Sequence, residues 1–172
     1  MFLKKGFKIV VMLFFFGVAL ALFYTSLFIK KDFEPSVMIG KRIPNLVSSS
    51  LLSGQDLNLK DMINNEIFVV NIFASWCAPC QIEHPYLMKL KENNIKIIGV
   101  NYKDNDKNAK NFLKKNKNPY NGVLKDKNGE LSIFLGAYGV PETFVINKNF
   151  IIIDKYIGPI NDEFVNKVLN LK

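Results

Sequence analysis

The longest apolar run comes first: residues 9–29 carry no charged side chain, and Lys8 and Lys30 bracket them. Twenty-one residues at about 1.5 Å each span roughly 30 Å, which predicts one transmembrane helix. Residues 30–40 are polar and read as a tether. From Lys41 to the end, short apolar segments recur with no internal repeat. Residues 43–50 read as an extended entry, 56–59 as a short alternating strand and 60–64 as a helical turn. Residues 67–74 are apolar except for Asn71 and Ser-free, the pattern of a strand covered on both faces. Residues 81–93 predict a helix kinked at Pro85, 95–102 a second core strand, and 105–116 a helix whose inner face is Ala109, Phe112 and Leu113. Residues 122–125 are extended, 126–129 turn, and 130–137 predict a short helix. A hairpin pairs 142–146 with 150–156, and a helix over 162–171 closes the chain. Strand and helix alternate early and a hairpin comes late. That order predicts an α/β domain with a parallel sheet centre and an antiparallel edge.

The expected organisation is a cytoplasmic N-terminus (1–8), an anchor (9–29), a tether (30–40) and one globular domain (41–172). Lys4, Lys5 and Lys8 favour a cytoplasmic N-terminus, which puts the domain outside. Lys30 and Lys31 pull the other way, but Asp32 and Glu34 follow closely. Ala19-Leu20-Ala21 resembles a signal cleavage site, yet the apolar run continues through Leu27, Phe28 and Ile29, which favours an uncleaved anchor. The net charge is +8, but five lysines and no acid lie in residues 1–31, leaving +3 for the rest. Those five suit membrane lipid head groups. Nucleic acid is not an expected partner, and Lys103-Asp104 and Lys114-Lys115 read as ordinary surface.

Only two cysteines exist, in Ser75-Trp76-Cys77-Ala78-Pro79-Cys80, between the strongest strand and a helix start. Cys77 would lie at the helix N-terminus, where unpaired N–H groups and the helix dipole favour an anion. Thiolate is the form that attacks a disulfide, and Cys80, about one turn further on, can resolve the mixed disulfide. Cys77 is therefore expected to be the accessible thiol and Cys80 the shielded one. An inert bridge closing so small a loop would constrain the unfolded chain little. A structural zinc site needs about four ligands, and His84 is the sole histidine; it reads as a polar helix residue.

The segments Trp76–Pro85 with Glu83-His84, residues 99–104, Asn118-Pro119-Tyr120 and Gly136–Phe144 together resemble the CcmG/DsbE family of membrane-tethered thiol reductases of cytochrome c maturation. The resemblance covers residues 41–172. It implies a thioredoxin-like fold with a central mixed sheet flanked by helices, and a cis Val140–Pro141 bond that sets the Val140 backbone beside Cys77. It implies thiol–disulfide exchange on the haem-binding Cys-x-x-Cys-His of apocytochrome c, or work with its haem-ligation machinery. It further implies a membrane-embedded thiol donor of the CcdA/DsbD type, a periplasmic domain on the bacterial inner membrane, and no metal, haem or flavin of its own. Trp76 and Pro79 would support the site, Trp76 by shielding the thiol. Ordinary thioredoxins carry an acid at position 71; Asn71 cannot take a proton. Glu142, after Pro141, is then the candidate proton acceptor for Cys80, and Glu83 with Glu142 would form an acidic substrate groove. A tethered reductase of the ResA/TlpA kind, or a non-catalytic chaperone holding apoprotein, are the alternative readings.

Overall fold

Strand β3 (Phe68–Phe73) is buried at every residue and has a paired strand on each side. This computed structural model describes residues 2–28, 38–63 and 66–171, in two separate compact units. The first unit holds helix α1 (Phe2–Phe28). Its stretch Gly6–Ser26 is long and apolar enough to cross a membrane, and its side chains there are uncovered. The helix starts earlier than the expected anchor because Lys4, Lys5 and Lys8 are good helix formers. Ile29 and tether residues 30–37 lie outside the described residues, as does Asn64 of the expected 60–64 turn.

The second unit carries β1 (Val47–Ser49), β2 (Asp56–Asn58), α2 (Leu59–Met62), β3, α3 (Ala78–Glu92), β4 (Lys96–Tyr102), α4 (Asp106–Asn116) and β5 (Gly122–Asp126). It continues with α5 (Glu130–Phe134), β6 (Glu142–Ile146), β7 (Ile152–Ile157) and α6 (Asp162–Asn170). The main sheet has the order β5-β4-β3-β6-β7; β3 is parallel to β4, β4 to β5, and β6 runs antiparallel to β3 and β7. β1 and β2 form a small antiparallel pair. A thioredoxin-like mixed sheet with flanking helices, expected from the sequence, is the fold found.

Alternation along β3 divides the core. Val69 and Phe73 pack with α3, α4 and α6 residues such as Leu87, Phe112 and Phe164. Phe68, Val70 and Ile72 pack on the other face with Leu59, Leu135 and Phe144. Each such fully buried side chain contributes about 1.5–3 kcal/mol. Gly99, in register with Asn71, makes room on the first face: a Cβ there would lie 3.0 Å from both Phe73 and Tyr120. The two rings stack with centroids 4.7 Å apart.

Some boundaries differ from expectation. Helix α3 begins at Ala78, not Gln81, because Cys77 is itself the N-cap, and it runs through Pro85 to Glu92. Asn147 Oδ1 accepts from the Asn149 and Ile151 N–H groups, which lengthens the hairpin loop and delays β7 to Ile152.

Candidate active site

The end of β3 delivers the chain to the redox motif. A loop of Ala74, Ser75 and Trp76 joins β3 to Cys77, whose N–H donates to the Ala74 carbonyl at 3.2 Å. Asp104, expected to be surface, holds this loop. Its carboxylate accepts from the Ser75 N–H (2.5 Å), the Ser75 hydroxyl (2.8 Å) and the Asn101 amide (3.0 Å). Trp76 Nε1 donates to the Lys103 carbonyl at 3.2 Å, while the indole stays 59% exposed.

Cys77 and Cys80 form a disulfide, and Pro79 occupies the first turn of α3, where a missing N–H costs nothing. The Cys80 N–H donates to Cys77 Sγ at 3.1 Å. Both cysteines are equally buried, at 3% and 2% exposure, so in the disulfide form accessibility does not separate them. What separates them is the cap: Cys77 sulfur receives a helix N–H, and Cys80 is inside the first turn.

The register of β3 with β6 places the second loop. Ile72 pairs with Glu142, so the antiparallel ladder carries Pro141 and Val140 to the end of β3 from which the redox loop leaves. The Val140–Pro141 peptide bond is cis. The Pro141 carbonyl accepts from the Gly158 N–H at 3.0 Å. Val140 packs against the cluster that contains both cysteines.

Glu83 is not the solvated groove residue expected from the sequence. It is one turn beyond Cys80 on the inner side of α3 and is fully buried. Its Oε1 accepts from Asn71 Nδ2 at 2.8 Å and its Oε2 from the Ile160 N–H at 3.3 Å. Asn71 Nδ2 also donates to Thr143 Oγ1 (3.0 Å), and Asn71 Oδ1 accepts from the Tyr120 hydroxyl (2.7 Å). Burial pushes the Glu83 carboxyl up from 4.5 to about 7, against the pull of the Asn71 and Ile160 hydrogen bonds. Burial, and then the nearby Glu83 charge, hold the Tyr120 phenol well above its ordinary value.

Glu142 also departs from expectation. It is 1% exposed and committed on both oxygens. Oε1 accepts from the N–H groups of Tyr138 (2.6 Å) and Gly139 (3.0 Å). Oε2 faces Lys155 Nζ at 2.9 Å in an ion pair whose side chains are both 1% exposed. Lys155 also donates to the Gly136 carbonyl at 2.7 Å and lies over the Tyr138 ring at 4.5 Å. A carboxylate so engaged braces the cis-proline loop. Since Glu83 and Glu142 are both buried, they do not line an open acidic groove. His84 is buried rather than solvated, donating from Nε2 to the Lys117 carbonyl at 2.7 Å.

Tyr120, Thr143, Asp104 and Lys155 were missed as contributors from the sequence. The one advance signal for Lys155 was an adjacent charged pair, Asp154-Lys155, inside a strand of isoleucines and a tyrosine, Ile152–Ile157.

The family model described as Redoxin matches residues 38–171. A thiol:disulfide interchange protein DsbE of Pseudomonas fluorescens biotype C is 37% identical over 160 residues, which are 93% of this chain and 89% of that one. The chain belongs to the Redoxin family, in its DsbE group. A second DsbE-group relative, the thiol:disulfide interchange protein HelX of Rhodobacter capsulatus, is 35% identical over 136 residues, 79% of this chain and 77% of that one. The fold of this DsbE-group chain is also that of the thioredoxin domain of a thiol-disulfide oxidoreductase from Bacteroides vulgatus. That comparison gives a TM-score of 0.67 at 21% identity, over 79% of this chain and 99% of that one. The DsbE-group chain is a thiol-disulfide oxidoreductase.

Proposed function

We propose that this oxidoreductase reduces the disulfide of the haem-binding Cys-x-x-Cys-His segment of apocytochrome c, working from the outer face of a bacterial inner membrane. The observation that carries the redox role is the Cys77–Cys80 pair at the N-cap of α3, at the same sheet end as the cis Val140–Pro141 loop. The choice of substrate rests on the DsbE and HelX relatives and on the Gly136–Phe144 stretch. The apolar helix α1 supports single-pass anchoring, and the lysines before it support a cytoplasmic N-terminus.

The steps follow from the site. A substrate strand pairs with the Val140 backbone, whose N–H and carbonyl make no hydrogen bond among the described residues. The Cys77 thiolate, favoured by the helix terminus, attacks one substrate sulfur. The substrate S–S bond breaks, a mixed disulfide forms, and one substrate thiolate leaves. Cys80 then loses its proton to Glu83 and attacks Cys77 Sγ, releasing the second substrate thiolate. Two electrons have passed to the substrate, whose two thiols take up protons equal in number to those the chain gave. Glu83 suits this task because its carboxyl titrates near neutrality one turn from Cys80. The oxidised chain then needs electrons from a membrane-embedded thiol carrier.

The test is capture. A Cys80→Ala variant, expressed in cells making c-type cytochromes, should hold apocytochrome c as a mixed disulfide through Cys77. Capture of a different disulfide protein alone would assign the chain to another tethered pathway. One-to-one binding without a mixed disulfide would make it a holding chaperone.

A further inference from the structure

Helix α4 carries four lysines and one acid, and that acid, Asp106, pairs with Lys125 of β5 at 3.3 Å. The buried face of α4 is Ala109, Phe112 and Leu113. Lys107, Lys110 and Lys114 follow the i, i+3, i+7 spacing on the opposite side, so they form one exposed stripe. None of the three joins an ion pair among the described residues. Like charges at i, i+3 and i, i+4 repel, so the stripe is not there for the helix's own stability.

Two clefts lie beside α4, one reached by Lys115, next to the stripe, and the other by Lys107 of the stripe itself. Lys115 and Asn111 line a cleft with Ser75 and Trp76. Lys103, Lys107 and Lys127 line a second cleft together with Asp104, held by Ser75 and Asn101, and Asp106, paired with Lys125; the Lys103 carbonyl receives the Trp76 indole hydrogen bond. The exposed indole lines the first cleft and donates to a backbone carbonyl of a residue that lines the second. An occupant of the first cleft touches Trp76, the residue next to Cys77 in the chain.

We infer that the α4 face is a docking surface for an acidic protein segment that exchanges its disulfide or dithiol with Cys77. A protein segment fits better than a lipid surface, because the Lys115 cleft includes Ser75 and Trp76 of the redox loop, which a disulfide-bearing chain must approach. The inference holds whichever protein is the physiological substrate, since it rests on the exchange activity alone. Field complementarity of this kind acts chiefly on the encounter rate and is screened by salt.

The experiment uses the reduced full chain in nanodiscs of neutral phosphatidylcholine. Two synthetic peptides with the same internal disulfide serve as probes, one flanked by glutamates and the other by glutamines. Trp76, the single tryptophan, reports oxidation of the chain by its fluorescence. Exchange should be about tenfold faster with the glutamate peptide at low salt, and the advantage should vanish near 0.5 M salt. The K107Q/K110Q/K114Q variant should lose that advantage while keeping the glutamine-peptide rate. K107E/K110E/K114E should reverse the preference. Equal rates for the two peptides in the unaltered chain would overturn the inference. So would an advantage that survives both triple variants. If the glutamine variant instead lost binding to phosphatidylglycerol vesicles with peptide rates unchanged, the face would be a lipid contact and the inference would fail.

Discussion

Asn71 Nδ2 donates to Glu83 Oε1 at 2.8 Å, and both side chains are fully buried. Strand position 71 thus carries an amide, and the buried acid beside it lies on the helix, one turn after Cys80. The amide donates to the carboxylate and accepts from Tyr120, so the carboxyl is oriented without a second buried charge. That arrangement puts the buried carboxyl on the helix that bears Cys80.

Glu83→Gln should keep the Asn71 hydrogen bond and lose the titration. The mixed disulfide formed by Cys77 should persist about 100-fold longer, within the usual range for a lost acid–base group. The pH–rate inflection near 7 should disappear with it. Stopped-flow resolution of a preformed mixed disulfide measures both. An unchanged lifetime and profile would remove Glu83 from the mechanism.

Stability should change with pH through the same group. Its folded pKa, about 7, is raised above the unfolded 4.5, so the folded chain holds the proton more tightly. The contribution is full below pH 4.5 and is lost as pH rises through 7, an effect of order 3 kcal/mol. Denaturant unfolding of Glu83→Gln at pH 4.5 and pH 8 should lack this component. A wild-type profile in the variant would contradict the assignment.

Lys155→Met should strand the buried Glu142 charge and destabilise the domain by about 3–5 kcal/mol. Adding Glu142→Gln should recover part of that loss, giving a coupling visible in a double-mutant cycle. Strictly additive losses would mean that the two groups do not act as a pair.

Asp104→Ala should release Ser75 and loosen the redox loop. Losing acceptors for the part-buried Ser75 N–H and hydroxyl should cost about 1–3 kcal/mol. Exchange with small disulfides should slow, and Trp76 fluorescence anisotropy should fall. Unaltered anisotropy would show that the loop is held by other contacts.

In the reduced chain, Cys77 should alkylate faster than Cys80 at neutral pH and show the lower apparent pKa, because its sulfur caps the helix. Mass spectrometry of partially labelled chain resolves the two sites. Preferential labelling of Cys80 would reverse their roles.

Much of the fold was legible because its signals are local. The run at 68–73, apolar but for Asn71, read as a strand covered on both faces, and Ala109, Phe112 and Leu113 marked the inner face of α4 by period alone. The cysteine pair and Gly136–Phe144 were legible as motifs whose residues meet only in one fold. Glu83 and Glu142 were misread for one shared reason. A carboxylate in a sequence looks solvated unless its partners are visible: those of Glu83, Asn71 and Ile160, lie 12 and 77 residues away, and Lys155 reaches Glu142 only across the β6–β7 pairing.

By itself the sequence determined the anchor-length apolar run, the alternation that builds a mixed sheet, and a redox pair at a helix start. These depend on periodicity and on nearest neighbours in the chain. Tertiary structure alone decided which acid is buried behind the resolving cysteine, which acid is tied up by Lys155, and that Asp104 fastens the loop before Cys77. The reason is physical: burial and ion pairing depend on what the other strands and helices bring alongside, and a residue's own neighbours in sequence do not carry that information.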